Sequence, residues 1–509
     1  MELKSLMSGS DLRGVAMPGV AGEDVNLTPD IAACIGRGFL AWLATRSDKE
    51  MGELVVSVGR DSRLSGPSVA AALVTEFAAC GARVIDCGMA TTPAMFMSCV
   101  MDAPRADGAI MVTASHLPWN RNGLKFFTRD GGVEATDLAE IIALAEKGVS
   151  TAGSGGVVEP MDLLGVYAAH LRGIITRKLG AGTPLADLAV VVDAGNGAGG
   201  FYATDVLAPL GANITGSQFL DPDGHFPNHF PNPENAEAMA SVMAAAVRAK
   251  ADLGIIFDTD VDRAMAVDEQ GRAIDRDLIV AAAARLVAEE HPGTTVVTDS
   301  VVGDELTEFL EETVGVRHFR YRRGYRNVIN KMHELNAQGV DCALAIETSG
   351  HAAFLDNYSL DDGAYLATLV VCAAAKLKAQ GVGVSELVRG LKRPAESREL
   401  RMRITEEDFR SKGKRLLEHF ATWAANEASQ VASELAGGEV NVSLVEPNYE
   451  GVRLTFAGVV RGWALLRMSL HDPTLPLNYE SAAVGGCDVI AATIRSFLVS
   501  EGGVDYAAL

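Results

Sequence analysis

Residues 253–263 read LGIIFDTDVDR, an unbroken apolar run followed at once by three aspartates at alternate positions. The apolar run predicts a strand buried on both faces, because a half-exposed strand would alternate apolar and polar residues. Residues 234–251 before it predict an amphipathic helix, and residues 188–200, LAVVVDAGNGAGG, predict a buried strand that runs into a glycine-rich turn. A helix between two buried strands indicates a βαβ unit with a parallel sheet.

The same alternation occurs on both sides of this unit. Strand patterns lie at 54–61, 82–88 and 108–115 before it and at 294–300, 317–322 and 342–350 after it, while the C-terminal part has shorter strands near 398–404, 451–456 and 463–469. We therefore predict three similar α/β domains with mixed, mostly parallel sheets, and a smaller C-terminal α+β domain. The predicted boundaries are 1–160, 161–275, 276–390 and 391–509.

Bulk properties narrow the function classes. The chain has 509 residues, which is too long for one hydrophobic core, and a formal net charge of −22, which disfavours nucleic acid and anionic membranes as partners. Seven cysteines without a CxxC pair predict buried thiols in a reducing compartment. No run is apolar and long enough to span a membrane. We expect a cytoplasmic protein, or a plastid stromal one if a leader peptide has been removed.

Each predicted α/β domain contains a strand that ends in a loop of unusual polarity. The three loops are TASH (113–116), DTDVDR (258–263) and ETSGH (347–351). Ligands of open α/β sheets bind beyond the carboxyl ends of the strands. We therefore expect the three loops to face one shared cleft.

The first loop offers a serine. Ser115 follows a predicted strand and is a possible covalent carrier, although a local turn or a helix cap would explain it as well. A Ser–His hydrolase is disfavoured for two reasons. Ser115 and His116 would point to opposite faces of one strand, and the GxSxG pattern is absent.

The second loop offers a metal site. Asp258, Asp260 and Asp262 provide only oxygen ligands, which favours Mg²⁺ or Ca²⁺, whereas a solvated acidic loop is the simpler alternative. An EF-hand is excluded because its sixth position would be Arg263 instead of glycine, and because strands, not helices, flank the loop.

The third loop combines a carboxylate, a hydroxyl and an imidazole, which can hydrogen-bond sugar hydroxyls, and Gly350 allows a close backbone approach. A purely structural loop is an equally good explanation. Basic residues near the three loops would attract an anionic ligand, although each alone is more typical of a surface charge. They are Arg13, Arg60, Arg63, Lys125, Arg263, Arg323 and Arg467.

These motifs together resemble the α-D-phosphohexomutase superfamily over nearly the whole chain. The resemblance rests on SDLRG (10–14), VGRDSRLSG (58–66), TASHLPWNRNGLK (113–125), DGHFPNHFPNPEN (223–235), FDTDVDR (257–263), YRRGYRNVINKM (321–332), ETSGH (347–351) and GWALLRMSLHDP (462–473). It implies a heart-shaped fold of four domains around a central cleft. It also implies an isomerase that moves a phosphoryl group between C1 and C6 of glucose or mannose phosphate, through a phosphoserine and a bisphosphorylated sugar.

The resemblance also implies roles for individual residues. Ser115 would carry the phosphoryl group, one Mg²⁺ would be bound by Asp258, Asp260, Asp262 and a phosphate oxygen on Ser115, and hexose 1,6-bisphosphate would act as activator. Charge stabilisation and acid–base work would fall to Arg13, Lys125, Arg263 and His351, and substrate binding to Glu347, Ser349, Arg323, Arg467, Ser469 and His471. The expected partner is a small hexose phosphate, with no nucleic acid or membrane, and the expected state is a monomer or a weak homodimer.

Three loops depart from the family pattern, the third loop only mildly, since it reads IETSGH where the family usually begins GE. Thr259 and Val261 replace the glycines of the usual DGDGDR, but the three metal ligands remain, so we expect the metal site to persist. The C-terminal loop, usually RxSxTEP, reads RMSLHDP; Leu470 removes polarity and Asp472 adds negative charge where a phosphate should bind. This leaves open a phosphoglucosamine or other specialised mutase, or a catalytically weakened homologue that binds sugar phosphates as a regulator.

Overall fold

The computed structural model describes residues 3–148, 155–469, 472–507 and 509. By its internal contacts the chain forms two compact units, and each is described by itself. The first unit comprises Met1–Leu286 and Ser349–Val388, and the second comprises Val287–Thr348 and Arg389–Leu509.

The N-terminal part of the first unit is built on a mixed sheet with the strand order β1-β2-β6-β5-β3-β4-β8, and β7 pairs with β6. Strands β5, β3, β4 and β8 run parallel, whereas β6 pairs antiparallel with β5 and β2 pairs antiparallel with β6. Every residue of β5, GAIMV, is buried, as expected of a strand covered on both faces. The strands are β1 Met7–Ser8, β2 Asp11–Val15, β3 Val55–Arg60, β4 Arg83–Met89, β5 Gly108–Val112, β6 Arg121–Thr128, β7 Gly131–Gly132 and β8 Val158–Pro160. The helices are α1 Pro29–Ser47, α2 Gly66–Ala79, α3 Thr92–Val100 and α4 Ala135–Lys147.

A second sheet follows in the same unit, with the strand order β12-β11-β10-β9. Strands β9 and β10 are parallel and joined through α6, which confirms the predicted βαβ unit. Strand β10 consists of the apolar run LGIIF alone, all of it buried, so the three aspartates begin directly beyond the strand end. The elements are α5 Leu163–Leu179, β9 Val190–Asp193, α6 Ala236–Ala249, β10 Leu253–Phe257, β11 Ala264–Val267, β12 Ala273–Ile274 and α7 Asp277–Ala288.

The second unit begins with another parallel arrangement. Strand β13 pairs in parallel with β14 and with β15. The elements are β13 Thr295–Thr298, α8 Asp304–Glu308, β14 Arg317–Arg320, α9 Tyr325–Ala337 and β15 Cys342–Ile346, and a π-helical segment, Phe309–Val314, continues α8. The chain then contributes β16 Ala352–Phe354 and α10 Gly363–Ala379 to the first unit.

The C-terminal part of the second unit is an antiparallel sheet with the strand order β18-β19-β20-β21-β17-β22, packed with three helices around its own apolar core. The sequence patterns did not predict β21, α11 or α12. The elements are β17 Glu396–Ile404, α11 Phe409–Asn426, α12 Ala428–Ala436, β18 Val440–Leu444, β19 Val452–Gly458, β20 Gly462–Leu466, β21 Thr474–Ser481, α13 Gly486–Glu501 and β22 Val504–Asp505. The predicted fold class, three α/β domains with mixed sheets and a C-terminal α+β domain, is confirmed.

Two further expectations concern the cysteines and membrane-spanning segments. All seven cysteines are free, and all but Cys34 are buried. None of the helices in the described part of the chain is both long and apolar enough to cross a bilayer.

Candidate active site

Ser115 lies in a turn three residues beyond the end of β5. Its backbone has a φ of 51°, in the left-handed region that non-glycine residues seldom adopt. Its Oγ donates to Asp258 Oδ2 at 3.0 Å and accepts from Arg263 Nη2 at 3.2 Å. The predicted serine of the first loop and the aspartate loop are therefore in direct contact within the first unit.

The aspartate loop begins where β10 ends. Asp258, Asp260 and Asp262 are buried, and each places a carboxylate oxygen within 4.8 Å of the other two. Asp260 Oδ1 and Asp262 Oδ1 accept no hydrogen bond. Three buried carboxylates, two of which have an oxygen that accepts no hydrogen bond, fit a hard divalent cation. Among the described residues, this is the one group of acidic, histidine and cysteine side chains close enough together to bind a metal.

The carboxylates repel one another in this buried setting. Burial, reinforced by the charges of Asp262 and Asp260, raises the pKa of Asp258 well above its usual value. The Lys125 ammonium partly offsets this charge, because it donates to Asp262 and lies 3.1 Å from Asp260 Oδ2. A bound cation would remove the remaining repulsion.

Val261, which stands where the family usually has glycine, has an unusual backbone conformation. Val261 is fully buried and has a φ of 67°, which is sterically unfavourable for a β-branched residue. Its carbonyl accepts from the backbone N–H of Gly363, at the start of α10, at 3.1 Å. The aspartate loop thus keeps a backbone conformation that suits glycine, although valine stands where the family usually has glycine.

Ser349 to His351 form the part of the third loop that belongs to the first unit. This part lies beside the aspartate loop. Arg263 and His351 form an antiparallel bridge, and Gly350 has a φ of 92°. A Cβ on Gly350 would lie 2.6 Å from the carbonyl oxygen of Ala264, so the close approach predicted for this glycine is real. His351 Nε2 lies 3.2 Å from Arg263 Nε, and its Nδ1 lies 3.0 Å from Ser349 Oγ.

His116 is placed differently from the expectation. The prediction that Ser115 and His116 lie on opposite faces of one strand is wrong, because both residues lie in the turn beyond β5. Ser115 Oγ and His116 Nδ1 are 3.3 Å apart, and Arg263 Nη2 lies 2.6 Å from the same Nδ1. Burial, with the charges of Arg263 and Arg13, lowers the pKa of His116 to about 2. This neutral ring accepts from Arg263 through Nδ1 and is not free to act as a base on the serine.

Arg13 and Lys125 occupy neighbouring strands of the first sheet. Arg13 on β2 pairs with Gly123 on β6, and Lys125 is two residues further along β6 on the same face. Arg13 Nη2 lies 3.1 Å from Asp11 Oδ2. The structure therefore brings Arg13, Lys125, Arg263 and His351 to the surroundings of Ser115.

The remaining predicted substrate residues lie in the second unit. Glu347 is buried and its Oε1 accepts from the backbone N–H of Gly324 at 2.6 Å. The backbone N–H of Arg323 donates to Glu450 Oε2 at 3.1 Å. Glu450 also accepts from the Ser300 hydroxyl, and no sequence signal had singled it out.

The C-terminal loop carries compensating charges. Burial lowers the pKa of Arg467, while the carboxylates of Glu450 and Glu399 act in the opposite direction and Arg323 adds to the lowering. The Ser469 hydroxyl accepts from the backbone N–H of Asp472 at 3.2 Å. The predicted phosphate ligand His471 lies outside the described residues.

The supporting roles of three residues at this site were not predicted from the sequence. The Thr92 hydroxyl at the start of α3 donates to Asp260 Oδ2 at 2.5 Å. Asp61 and Arg63 form a fully buried ion pair, with 3.2 Å between Asp61 Oδ2 and Arg63 Nε, directly under the Ser115 turn. Burial raises the pKa of Asp61 to about 6, against the opposing effects of the Arg63 guanidinium and the Thr113 hydroxyl. Their signal was present in VGRDSRLSG, but Arg63 had been counted as a cation available to the ligand.

Comparison with known proteins adds to this geometry. Residues 5–151, 167–271 and 275–393 match the sequence models of α/β/α domains I, II and III of phosphoglucomutase/phosphomannomutase. The chain belongs to the phosphoglucomutase/phosphomannomutase family. The resemblance inferred from the motifs is confirmed.

Relatives match this chain along almost its full length. A phosphoglucomutase of Neisseria gonorrhoeae is 28% identical over 500 residues, 98% of this chain and 97% of its own. A phosphomannomutase/phosphoglucomutase of Pseudomonas aeruginosa is 29% identical over 494 residues, 97% of this chain and 96% of its own. The crystal structure of a phosphoglucomutase/phosphomannomutase family protein from Burkholderia thailandensis superposes with a TM-score of 0.79 at 27% identity, covering 98% of both chains.

The predicted enzyme class follows from this membership. The chain is a hexose phosphate mutase, an isomerase that transfers a phosphoryl group within its substrate. The domain limits 1–160, 161–275, 276–390 and 391–509, the oligomeric state and the cellular location stay predictions.

Proposed function

We propose that this mutase interconverts the 1- and 6-phosphates of glucose or mannose, with Ser115 as the phosphoryl carrier. One observation carries the proposal: Ser115 Oγ lies 3.0 Å from an oxygen of the buried aspartate cluster and 3.2 Å from the Arg263 guanidinium. A phosphoryl group on that oxygen would meet a cationic donor and the metal ligands at once. Such positioning and charge stabilisation make up most of the catalysis in phosphoryl transfer.

The residues proposed to hold Mg²⁺ are Asp258, Asp260, Asp262 and, once phosphorylated, Ser115. When bound, Mg²⁺ would offset the negative charge of the transferring phosphoryl oxygens. Arg263 is held beside Ser115 by His116, His351 and the backbone bridge to the third loop, so its Nη2 stays within reach of a phosphoryl group there. Lys125 and Arg13 provide the further positive charge on the face of β2 and β6.

The proposed transfer runs in two balanced halves. The bond between phosphorus and Ser115 Oγ breaks as a bond from a sugar hydroxyl oxygen to phosphorus forms. The hydroxyl proton passes to a base of the site, for which His351 is proposed, and Ser115 Oγ takes up a proton, for which the Lys125 ammonium is the proposed donor. The bisphosphorylated sugar then reorients, and its other phosphoryl group returns to Ser115 by the reverse step.

Substrate-binding roles are also proposed for the remaining residues. Glu347 and Ser349 are each proposed to bind a sugar hydroxyl, and Arg323, Arg467, Ser469 and His471 are proposed to bind the non-reacting phosphate. Glu450 and Glu399 lie near the two arginines and partly neutralise them. We therefore expect this phosphate site to bind more weakly than a purely cationic one would.

The experiment is a substrate panel with Ser115→Ala as the test variant. Glucose, mannose and glucosamine 1-phosphates are supplied with Mg²⁺ and a trace of hexose 1,6-bisphosphate, and the 6-phosphates are measured. The Ser98→Ala variant is the matched control, because the Ser98 hydroxyl donates only to a carbonyl of its own helix. We expect Ser115→Ala to lose turnover and Ser98→Ala to retain it. Turnover in Ser115→Ala would contradict the role of Ser115 as phosphoryl carrier. If the wild type binds sugar phosphates but shows no turnover, the result would favour a homologue that binds sugar phosphates as a regulator.

A further inference from the structure

Arg63 is an arginine whose whole side chain is enclosed. It is fully buried, and its guanidinium points at the turn that carries Ser115. Nη1 donates to the carbonyl oxygens of Pro118 at 2.8 Å and Arg121 at 3.0 Å, and Nη2 donates to those of Leu117 at 2.7 Å and Ser115. One side chain thus binds four carbonyl groups of the segment from Ser115 to Arg121.

Asp61 completes the arrangement from the other side. Its Oδ1 accepts from the backbone N–H of Arg63 at 3.0 Å, and its Oδ2 accepts from the Thr113 hydroxyl at 2.7 Å. The same Thr113 oxygen accepts from the backbone N–H of Ser115 at 2.9 Å. Both the N–H and the carbonyl of Ser115 are therefore held by groups that lead back to one ion pair.

These contacts stabilise a backbone conformation of Ser115 that is otherwise unfavourable. Ser115 has a φ of 51°, a backbone conformation that persists for a side chain of this type only when the surroundings over-determine it. The conformation directs Oγ toward Asp258 and Arg263. A turn that relaxed to an ordinary backbone would move the hydroxyl away from both.

Arg63 is also unsuited to the role that its charge suggests. Its guanidinium pairs with Asp61 and donates to the four carbonyls, and none of its surface is accessible to a ligand. A sugar phosphate could reach it only by displacing the turn.

We propose that Arg63, together with Asp61, is a positioning residue for phosphoryl transfer: it fixes the left-handed turn that aims the Ser115 hydroxyl and does not touch the substrate. The proposal rests on the proposed role of Ser115 as carrier. It assigns to the buried pair a defined effect on the rate of transfer, beyond a general contribution to stability.

The test compares two buried arginines. Arg63→Lys retains the charge but loses the planar fork that reaches several carbonyls at once. Arg453→Lys is the matched control, because Arg453 in the second unit is equally buried and donates to the carbonyls of Ser300 and Val302. Both variants are measured for urea stability, for KM and kcat, and for single-turnover transfer from phosphorylated Ser115 to a hexose phosphate.

We expect Arg63→Lys to lower kcat and the single-turnover rate by about 100-fold, since misplacing a reacting group by about 1 Å costs this much, with KM changed by less than about threefold. Arg453→Lys should lose stability to a similar extent and keep its transfer rate. A wild-type transfer rate in folded Arg63→Lys would overturn the proposal. A rise in KM alone would also overturn it, because it would mean that Arg63 contacts the substrate.

A second variant decides the matter if Arg63→Lys does not fold. Thr113→Val removes the link between Asp61 and the Ser115 N–H and leaves Arg63 in place; we expect about a tenfold loss of transfer rate. An unchanged rate would overturn the proposal. Failure of the proposed function would look different, since the wild type itself would then carry no phosphate on Ser115 and show no turnover.

Discussion

Removing the Thr92 hydroxyl should weaken Mg²⁺ binding without disturbing the fold. Thr92 is buried at the start of α3, and its hydroxyl donates to Asp260 Oδ2 at 2.5 Å. The backbone N–H of Thr92 also donates to the Asp260 carbonyl at 2.9 Å, and this bond survives substitution. Thr92→Val has nearly the same shape, so the change is confined to one hydrogen bond on one proposed metal ligand.

Two effects of this substitution oppose each other. Without the hydroxyl, Asp260 keeps more negative charge for the cation, which favours binding. It also loses the donor that orients it, and a hydrogen bond to a buried carboxylate contributes about 1.5–3 kcal/mol. Loss of such supporting partners of metal ligands typically weakens metal affinity by about 10–100-fold, so we expect the orientation effect to win.

The assay is Mg²⁺ binding by calorimetry, together with the Mg²⁺ dependence of turnover. Thr91→Val is the matched control: the Thr91 hydroxyl accepts from the backbone N–H of Ala94 at 3.2 Å and caps α3. It should cost about 1 kcal/mol of stability and leave Mg²⁺ affinity unchanged. Equal or tighter Mg²⁺ binding in Thr92→Val would refute the reasoning.

Three further substitutions test other parts of the account. Urea denaturation should show that Val261→Gly lowers the free energy of unfolding by at least about 1 kcal/mol less than Val192→Gly in β9. Only Val261 has a left-handed backbone, at φ 67°, that glycine adopts without strain, so equal losses would contradict the strain. Burial, with Arg320 and Arg453, lowers the pKa of the half-buried His318 to about 3, so the unfolded chain alone takes up this proton as the pH falls below about 6.5. Stability should therefore decline from about pH 7 to about pH 5, and His318→Gln should remove about 1 kcal/mol of that decline; an unaltered pH profile would count against it. Arg453→Met should cost about 3 kcal/mol in urea denaturation, because it leaves buried carbonyls unpaired, and a loss below about 1 kcal/mol would disagree with the contacts.

The elements that decide the site were predictable because their signal is local. The run LGIIF specifies a buried strand by composition alone, and the aspartates that follow it must lie at the strand end. Strand β21 gave a weaker signal, since Pro476 interrupts a strand pattern that then pairs in register with β17. Helix α11 is polar overall, but Leu416, Phe420 and Ala424 recur at helical spacing, so a signal for this helix was present in the sequence and was overlooked.

The supporting contacts could not be predicted, because they join residues far apart in sequence. Thr92 and Asp260 are 168 positions apart, and Arg63 and Ser115 are 52 apart. The relation of Ser115 to His116 was wrong for a different reason. Strand geometry would place the two side chains on opposite faces, whereas the positive φ of Ser115 turns them toward each other.

The central claim is that the Ser115 hydroxyl carries the phosphoryl group that the substrate receives. It is tested most directly by loading the protein with labelled hexose 1,6-bisphosphate, locating the label by peptide mass spectrometry, and chasing with unlabelled hexose 1-phosphate. We predict one labelled phosphoryl group, on Ser115, that is transferred to the sugar as fast as the enzyme turns over. A label on another residue, or a label on Ser115 that is not chased during turnover, would contradict the account.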